Sequence, residues 1–239
     1  MQIEGRVFLV TGASMGIGLA TARAFTARGG KVALLARSAE ILSDLEKELP
    51  ESLAVPADMV DHQSIRAAVQ KTLDHYGRLD GLVNNAGRSY EARIEEIEPA
   101  VFEEIFRLNV LGPIVAMQAA IPAMRAQGEG SIVSVNSGTA FMVIPGYSVY
   151  SSSKRALLGF TQTARQELAA DGIVVSEVYP FITATNFGLN RMGKSDSGPR
   201  ADYRQGDTPE FVADLILRAI EEGEAEYFAN DRIKALAGR

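Results

Sequence analysis

The chain contains no cysteine and no tryptophan, and only two histidines, His62 and His75. Without cysteine there can be no disulfide, no thiolate zinc site and no cysteine nucleophile, and the composition suits a reducing cytoplasm, the compartment expected for it. The two histidines fall on one polar helical stretch with no partner at metal-ligand spacing, so they read as solvated side chains and no metal is expected. Positive charge is in deficit. Lys and Arg number 24 against 30 Asp and Glu, and the net charge of -6 argues against nucleic acid or an anionic membrane as partner. Long apolar runs are also missing. The longest, residues 110–124, is broken by Pro113, Gln118 and Pro122 and makes a poor membrane span. Before Thr11 the only apolar run is residues 7–10, too short for a signal peptide. There is no linker, low-complexity tract or internal repeat, so the 239 residues, 46% of them apolar, are expected to form one domain.

What is present is alternation. Residues 6–10, 32–36, 53–57, 82–84, 131–135, 174–179 and 226–229 read as strands. Between them, residues 17–28, 38–49, 61–76, 99–127 and 147–170 read as helices, Asp61 capping the third. Thr208-Pro209-Glu210 opens one more, with Thr as cap and Pro in the first turn. Repeated β-α units predict an α/β fold: a doubly wound, Rossmann-type parallel sheet of about seven strands with helices on both faces. Residues 181–206 break the pattern. They are rich in Gly, Ser, Asn and Arg, exceed what a connector needs and follow a strand end, which predicts a substrate lid.

Two short motifs carry chemistry. The first is Thr11-Gly12-Ala13-Ser14-Met15-Gly16-Ile17-Gly18, a glycine turn between the first strand and first helix. A helix N-terminus offers unpaired N–H groups and partial positive charge to a pyrophosphate. Gly12, Gly16 and Gly18 would supply the tight turn, the close phosphate approach and the close helix–strand packing. The second strand ends at Ala36-Arg37, without the acid that would accept from a ribose 2′-hydroxyl. Arg37 suits a 2′-phosphate instead, so NADP(H) is favoured over NAD(H).

The second motif is Tyr150-Ser151-Ser152-Ser153-Lys154. Residues four apart share a helix face, so Tyr150 and Lys154 point the same way. An adjacent ammonium favours the phenolate and brings the phenol toward the range of a working acid or base. A hydride carrier plus a proton donor is the minimum equipment for reducing a carbonyl or oxidising an alcohol. A rival reading takes Ser151-x-x-Lys154 as the S-x-x-K nucleophile of an acyl enzyme, but its companions S-D-N and K-T-G are absent, as are G-x-S-x-G and H-E-x-x-H. A dinucleotide-binding sensor without catalysis is the third reading; it has no use for a tuned proton donor.

These residues resemble the short-chain dehydrogenase/reductase family over nearly the whole chain. Thr11 to Gly18 is similar to its cofactor turn, Asn84-Asn85-Ala86-Gly87 to its fourth-strand motif, and Tyr150-x-x-x-Lys154 to its catalytic pair. Ser137 lies thirteen residues before Tyr150, the family spacing for the catalytic Ser, and Asn109 falls where the family carries its helix Asn. The resemblance implies that Tyr150 is the general acid/base, that Lys154 also contacts the nicotinamide ribose, and that Ser137 hydrogen-bonds the substrate oxygen. It further implies that Asn109 holds a water linking Lys154 to solvent. Cofactor contacts are implied for Ser14, Met15, Ile17, Asp58, Met59, Asn85, Ala86, Gly87, Pro180, Thr183 and Thr185, with Asp58 at the adenine and the Thr183 backbone at the carboxamide. The family forms homodimers or homotetramers, expected here through residues 110–124 and 147–170. The first of these appears apolar nearly all round, and the second has Leu157, Leu158 and Phe160 almost in succession.

There are departures. Phe181 stands where the family has glycine, and Met15 where many NADP-preferring members have a basic residue. The glycine-rich C-terminal extension of the acyl-carrier-protein reductase branch is missing, so that substrate class is not expected. Arg88, Tyr90, Thr139, Phe141, Met142, Val143, Tyr147 and Phe187 are candidate substrate walls. The mix is mostly apolar and points to a hydrophobic or aromatic carbonyl compound.

Overall fold

Seven strands form one sheet in the order β3-β2-β1-β4-β5-β6-β7, every neighbour parallel. They are β1 (Val7–Thr11), β2 (Lys31–Ala36), β3 (Ser52–Pro56), β4 (Gly81–Asn84), β5 (Gly130–Val135), β6 (Ile173–Tyr179) and β7 (Glu226–Phe228). The structure, a computed structural model, describes residues 1–184, 187, 192–193 and 206–239. Most of the expected lid over 181–206, Thr185 included, therefore lies outside the described residues.

Alternation along each strand divides the core in two. Phe8, Val10, Val32 and Leu34 face one side, where they pack with Phe25 of α1 (Gly16–Ala27), Leu42 of α2 (Ala39–Glu48) and Val212 and Ile216 of α7 (Pro209–Glu222). Val7, Leu9, Ala33 and Leu35 face the other, against Ile65 and Val69 of α3 (His62–Tyr76) and, beyond the π turn, Met117 and Met124 of Gly112–Gln127. Each fully buried Val or Leu contributes about 1.5–3 kcal/mol. Parallel strands covered on both faces have to be apolar on both, which is why β2 reads as an unbroken apolar run.

The helix expected over residues 99–127 is real but interrupted. α4 (Pro99–Phe106) passes through a π turn at Arg107–Leu111 into α5 (Gly112–Gln127). Pro113 has no N–H, so the carbonyl of Asn109 loses its i→i−4 donor, and the Gly112 N–H reaches back five residues to Arg107 instead. Pro99–Gln127 is long and apolar enough, by length and composition, to cross a membrane; its most apolar 18-residue window has a mean hydropathy of 1.4, and half of that window is buried inside the fold. Part of its outer side is covered by α3, whose Arg66 Nη2 donates to Gln118 Oε1 at 3.1 Å. Phe102 and Leu111 remain exposed, and so does Phe160 on α6 (Ser148–Leu168). His62 is half-buried rather than solvated, and its shielded Nε2 has no hydrogen-bond partner among the described residues.

Three elements escape the sequence reading. One 3-10 turn lies at Ile94–Glu96, another at Gly138–Phe141 directly follows Ser137, and α8 (Asp231–Leu236) closes the described chain, capped by the Asn230 side chain accepting from Ile233 N at 3.1 Å.

Candidate active site

The strand order reverses between β1 and β4, and there the chain opens a cleft of about 750 Å³ at the carboxyl ends of the strands. One end is lined by Gly12, Ser14, Met15, Gly16, Ile17, Arg37, Asp58 and Met59; the other by Ser137, Tyr150, Lys154, Pro180 and Thr183, with Asn85, Ala86 and Gly87 between.

The glycine turn is locked from below. Thr11, fully buried, accepts at its hydroxyl from the Asn85 and Ala86 N–H groups at 2.9 and 3.0 Å and donates to the Val83 carbonyl at 3.2 Å. Asn85 Nδ2 donates to the Thr11 carbonyl at 2.8 Å. Gly12 and Gly16 adopt left-handed backbone angles, φ 70° and 56°. Gly18 lies beneath the turn and not on the cleft wall: a Cβ there would stand 2.6 Å from Asn85 Nδ2 and closer still to the Gly12 carbonyl oxygen. Met15, at the cap position of α1, makes no side-chain capping hydrogen bond, and Gly16 and Ile17 of the first turn line the cleft. Asp58 accepts from Val60 N through Oδ1 at 3.1 Å. Arg37 is exposed at the lip and makes no ion pair among the described residues.

Tyr150 and Lys154 share a face of α6 and are both buried, with Lys154 Nζ 5.9 Å from the Tyr150 ring centroid. The Phe187 ring lies 5.8 Å from that of Tyr150. Lys154 Nζ donates to the Val135 carbonyl at 2.9 Å. Burial brings the Lys154 ammonium down to about 8, partly countered by the negative charge of Glu177. Ser137 Oγ accepts from Thr139 twice, from N at 3.2 Å and from Oγ1 at 3.0 Å, so its own hydrogen is left to donate.

Asn109 stands apart from the cleft wall. Fully buried at the π turn, its side chain accepts from Arg88 N at 3.0 Å and donates to Arg88 O at 2.9 Å and to Ser153 Oγ at 3.0 Å. It also lies behind Gly87, where a Cβ would stand 3.2 Å from Asn109 Oδ1 and 3.8 Å from Lys154 Nζ.

Of the expected substrate walls, Arg88, Thr139, Met142, Tyr147 and Phe187 line the cleft. Three do not. Tyr90 is buried in a separate apolar cluster with Ile105 and Val149; Phe141 turns inward onto Tyr179, ring centroids 5.0 Å apart; Val143 is 94% exposed. A turn of 3-10 helix after Ser137, invisible in the apolar pattern, decides which side chains of 138–144 face in. It also brings in Ile144, which the sequence reading missed. Arg88 faces Glu104 at 3.6 Å, which blunts its pull on an anion. Phe181 needs no glycine-like backbone: among the described residues only Glu51 combines a side chain with positive φ. Its ring instead lies 5.9 Å from the Arg232 guanidinium carbon on α8.

The residues fit a dinucleotide. Gly12 and Gly16 carry the turn along the cleft wall in left-handed backbone with no side chain to project into it, the start of α1 carries no side-chain cap, and on the wall at the other end Thr183 buries an Oγ1 with no hydrogen-bond partner among the described residues.

Comparison with known proteins agrees. The profile of the short chain dehydrogenase family matches residues 6–194. The chain is 37% identical to the 2-(R)-hydroxypropyl-CoM dehydrogenase of Xanthobacter autotrophicus, over 98% of this chain and 91% of that one. Among solved structures it is similar to the Brucella melitensis 3-ketoacyl-(acyl-carrier-protein) reductase complexed with NADH, with a TM-score of 0.87 and 27% identity over 95% of this chain and 97% of that one. It is also similar to a Burkholderia cenocepacia short chain dehydrogenase in complex with NADP, with a TM-score of 0.85 and 29% identity over 100% and 93%. With a glycine turn, a buried Tyr/Lys pair and a doubly wound sheet in one chain, the protein belongs to the short-chain dehydrogenase/reductase family and is an NAD(P)-dependent oxidoreductase.

Proposed function

We propose that the protein reduces a hydrophobic or aromatic ketone or aldehyde with NADP(H), Tyr150 acting as the proton donor. The observation that carries this reading is the single cleft that joins Arg37 and the glycine turn to Ser137, Tyr150 and Lys154. Gly12, Ser14, Met15, Gly16 and Ile17 would hold the pyrophosphate, Asp58 and Met59 the adenine side, and Asn85, Ala86, Gly87, Pro180 and Thr183 the nicotinamide side. When bound, the nicotinamide supplies the hydride. Ser137 donates to the carbonyl oxygen and orients it. Tyr150 delivers its proton to that same oxygen, and the Lys154 ammonium stabilises the phenolate left behind. Asn109 braces this set from behind, holding the Arg88 backbone and α6 together. The walls that remain, Met142, Ile144, Tyr147 and Phe187, favour an apolar substrate. Turnover of NADPH against a panel of aromatic and aliphatic ketones and aldehydes tests the reading; no turnover with any of them rejects it.

Arg37 would read the 2′-phosphate. Arg37→Ala is expected to weaken NADP binding by roughly 1.5–3 kcal/mol, the range for a charge-assisted contact, and to leave NAD binding nearly unchanged. Titration of both cofactors against both proteins checks this, and equal losses would remove Arg37 from that role.

A homo-oligomer, in a cytoplasmic protein, completes the proposal. Phe102, Leu111 and Phe160 are exposed on adjoining parts of the α4–α5 and α6 helices, and a two-fold partner presenting the same face would bury them. Sedimentation at micromolar concentration is expected to give a multiple of 25.7 kDa, and Phe160→Glu to lower it toward the single chain. A wild-type monomer rejects the interface.

A further inference from the structure

Behind Ser137 and Lys154 lies a buried acid that the chemistry above does not use. Glu177, on β6, is 2% exposed. Its Oε1 accepts from Asn136 Nδ2 at 2.8 Å and its Oε2 from the Tyr179 hydroxyl at 2.6 Å. Asn136, itself buried, is the residue before Ser137. Its Nδ2 also donates to the Lys154 carbonyl at 3.2 Å, and its Oδ1 accepts from the Ser137 N–H at 2.9 Å. One amide thus touches both halves of the proposed proton-transfer set. An ionised carboxylate only accepts, so Glu177 dictates which end of that amide is the NH₂ and leaves the oxygen for Ser137.

We propose that Glu177 is a positioning residue of the reaction: through Asn136 it holds the Ser137 backbone and the Lys154 turn of α6 in their working relation. This rests on the reading of Ser137, Tyr150 and Lys154 as the reacting set.

Two further observations support it. Tyr179 packs against both the Phe141 and Phe228 rings, at 5.0 and 4.9 Å, so the acid's second partner is held against the turn that follows Ser137. Charge acts in the same sense. The ionisable groups around Glu177 are Tyr179 on its own strand, Glu226 on β7 with Arg239 bound to it, and Lys154 on α6; Lys154 in turn faces Tyr150. Burial pushes Glu177 up to about 7, and at higher pH its negative charge favours the Lys154 ammonium. Loss of that charge lets Lys154 deprotonate at lower pH.

Two variants separate geometry from charge. In Glu177→Gln the new oxygen accepts from Asn136, the new NH₂ donates to the Tyr179 oxygen, and the Tyr179 hydrogen goes to Glu226 Oε1, already 3.2 Å away. Turnover at neutral pH is expected within about threefold of wild type, and the alkaline limb of the pH profile moves to lower pH. In Glu177→Leu the amide loses its anchor, and kcat is expected to fall about 10- to 100-fold, the scale of a small misplacement, with cofactor Kd unchanged. Both are measured beside wild type and Tyr150→Phe, with NADPH and the best ketone or aldehyde of the panel, and with melting temperatures. Glu177→Leu within threefold of wild type overturns the proposal. So do equal losses of kcat in both variants that follow a fall in melting temperature. If wild type turns over nothing, or Tyr150→Phe matches it, the reading beneath fails; if Tyr150→Phe is dead and Glu177→Leu is not, only the present inference fails.

Discussion

Tyr150→Phe is expected to lower turnover by about 10²–10⁴-fold, the usual contribution of a general acid or base, while cofactor affinity stays within a few-fold. The substitution removes one oxygen from a buried side chain and keeps the ring. Phe187 and the Lys154 ammonium lie beside that ring, so their packing persists. What disappears is the hydroxyl proposed to deliver the proton. Single-turnover kinetics with NADPH, together with a cofactor titration, separate chemistry from binding. A variant with near wild-type turnover would place the proton donor elsewhere.

Gly18→Ala is expected to weaken NADP and NAD alike by roughly 10- to 100-fold, because overpacking by one methyl costs about 1–3 kcal/mol and each 1.4 kcal/mol is tenfold. The added Cβ meets Asn85 Nδ2 at 2.6 Å and, closer, the carbonyl oxygen of Gly12. Neither is the free end of a flexible chain. Asn85 is tied to the Thr11 carbonyl at 2.8 Å, and Gly12 is itself the turn. The turn has to open and misplace its amides. Affinity for both cofactors falls together, which distinguishes this lesion from Arg37→Ala. Unchanged affinity in both would mean that the start of α1 does not hold the pyrophosphate.

The two substitutions differ in how far the sequence alone foretold them. Tyr150 and Lys154 are legible because a helix converts a spacing of four into a shared face. The reason for Gly18 is only half legible: spacing suggests close packing, and the fold supplies Asn85 as what it packs on. Asn109 shows the limit most clearly. Its residue type and position were readable, yet its side chain is spent on Arg88 and Ser153 and stays off the cleft wall. Pro113, the residue that opens the helix there, shows in the sequence only as an interruption of an apolar run. In sequence, Tyr90, Phe141 and Val143 look no different from the residues that line the cleft, because apolar character does not say which way a loop side chain points.

Sequence by itself determined the alternating elements, the parallel sheet, the glycine turn and the Tyr/Lys pair, since each depends on local periodicity or on contacts within one helix or turn. Tertiary structure alone decided the rest. Asn136 meets Lys154, and links it to Glu177 and Tyr179, only because β5 and β6 are neighbours and α6 crosses over them. A pair such as Asn136 and Glu177 lies 41 residues apart in the chain, with no periodicity linking the two positions. Burial creates the chemistry there, for the same carboxyl and ammonium groups in water would keep their ordinary affinities for protons.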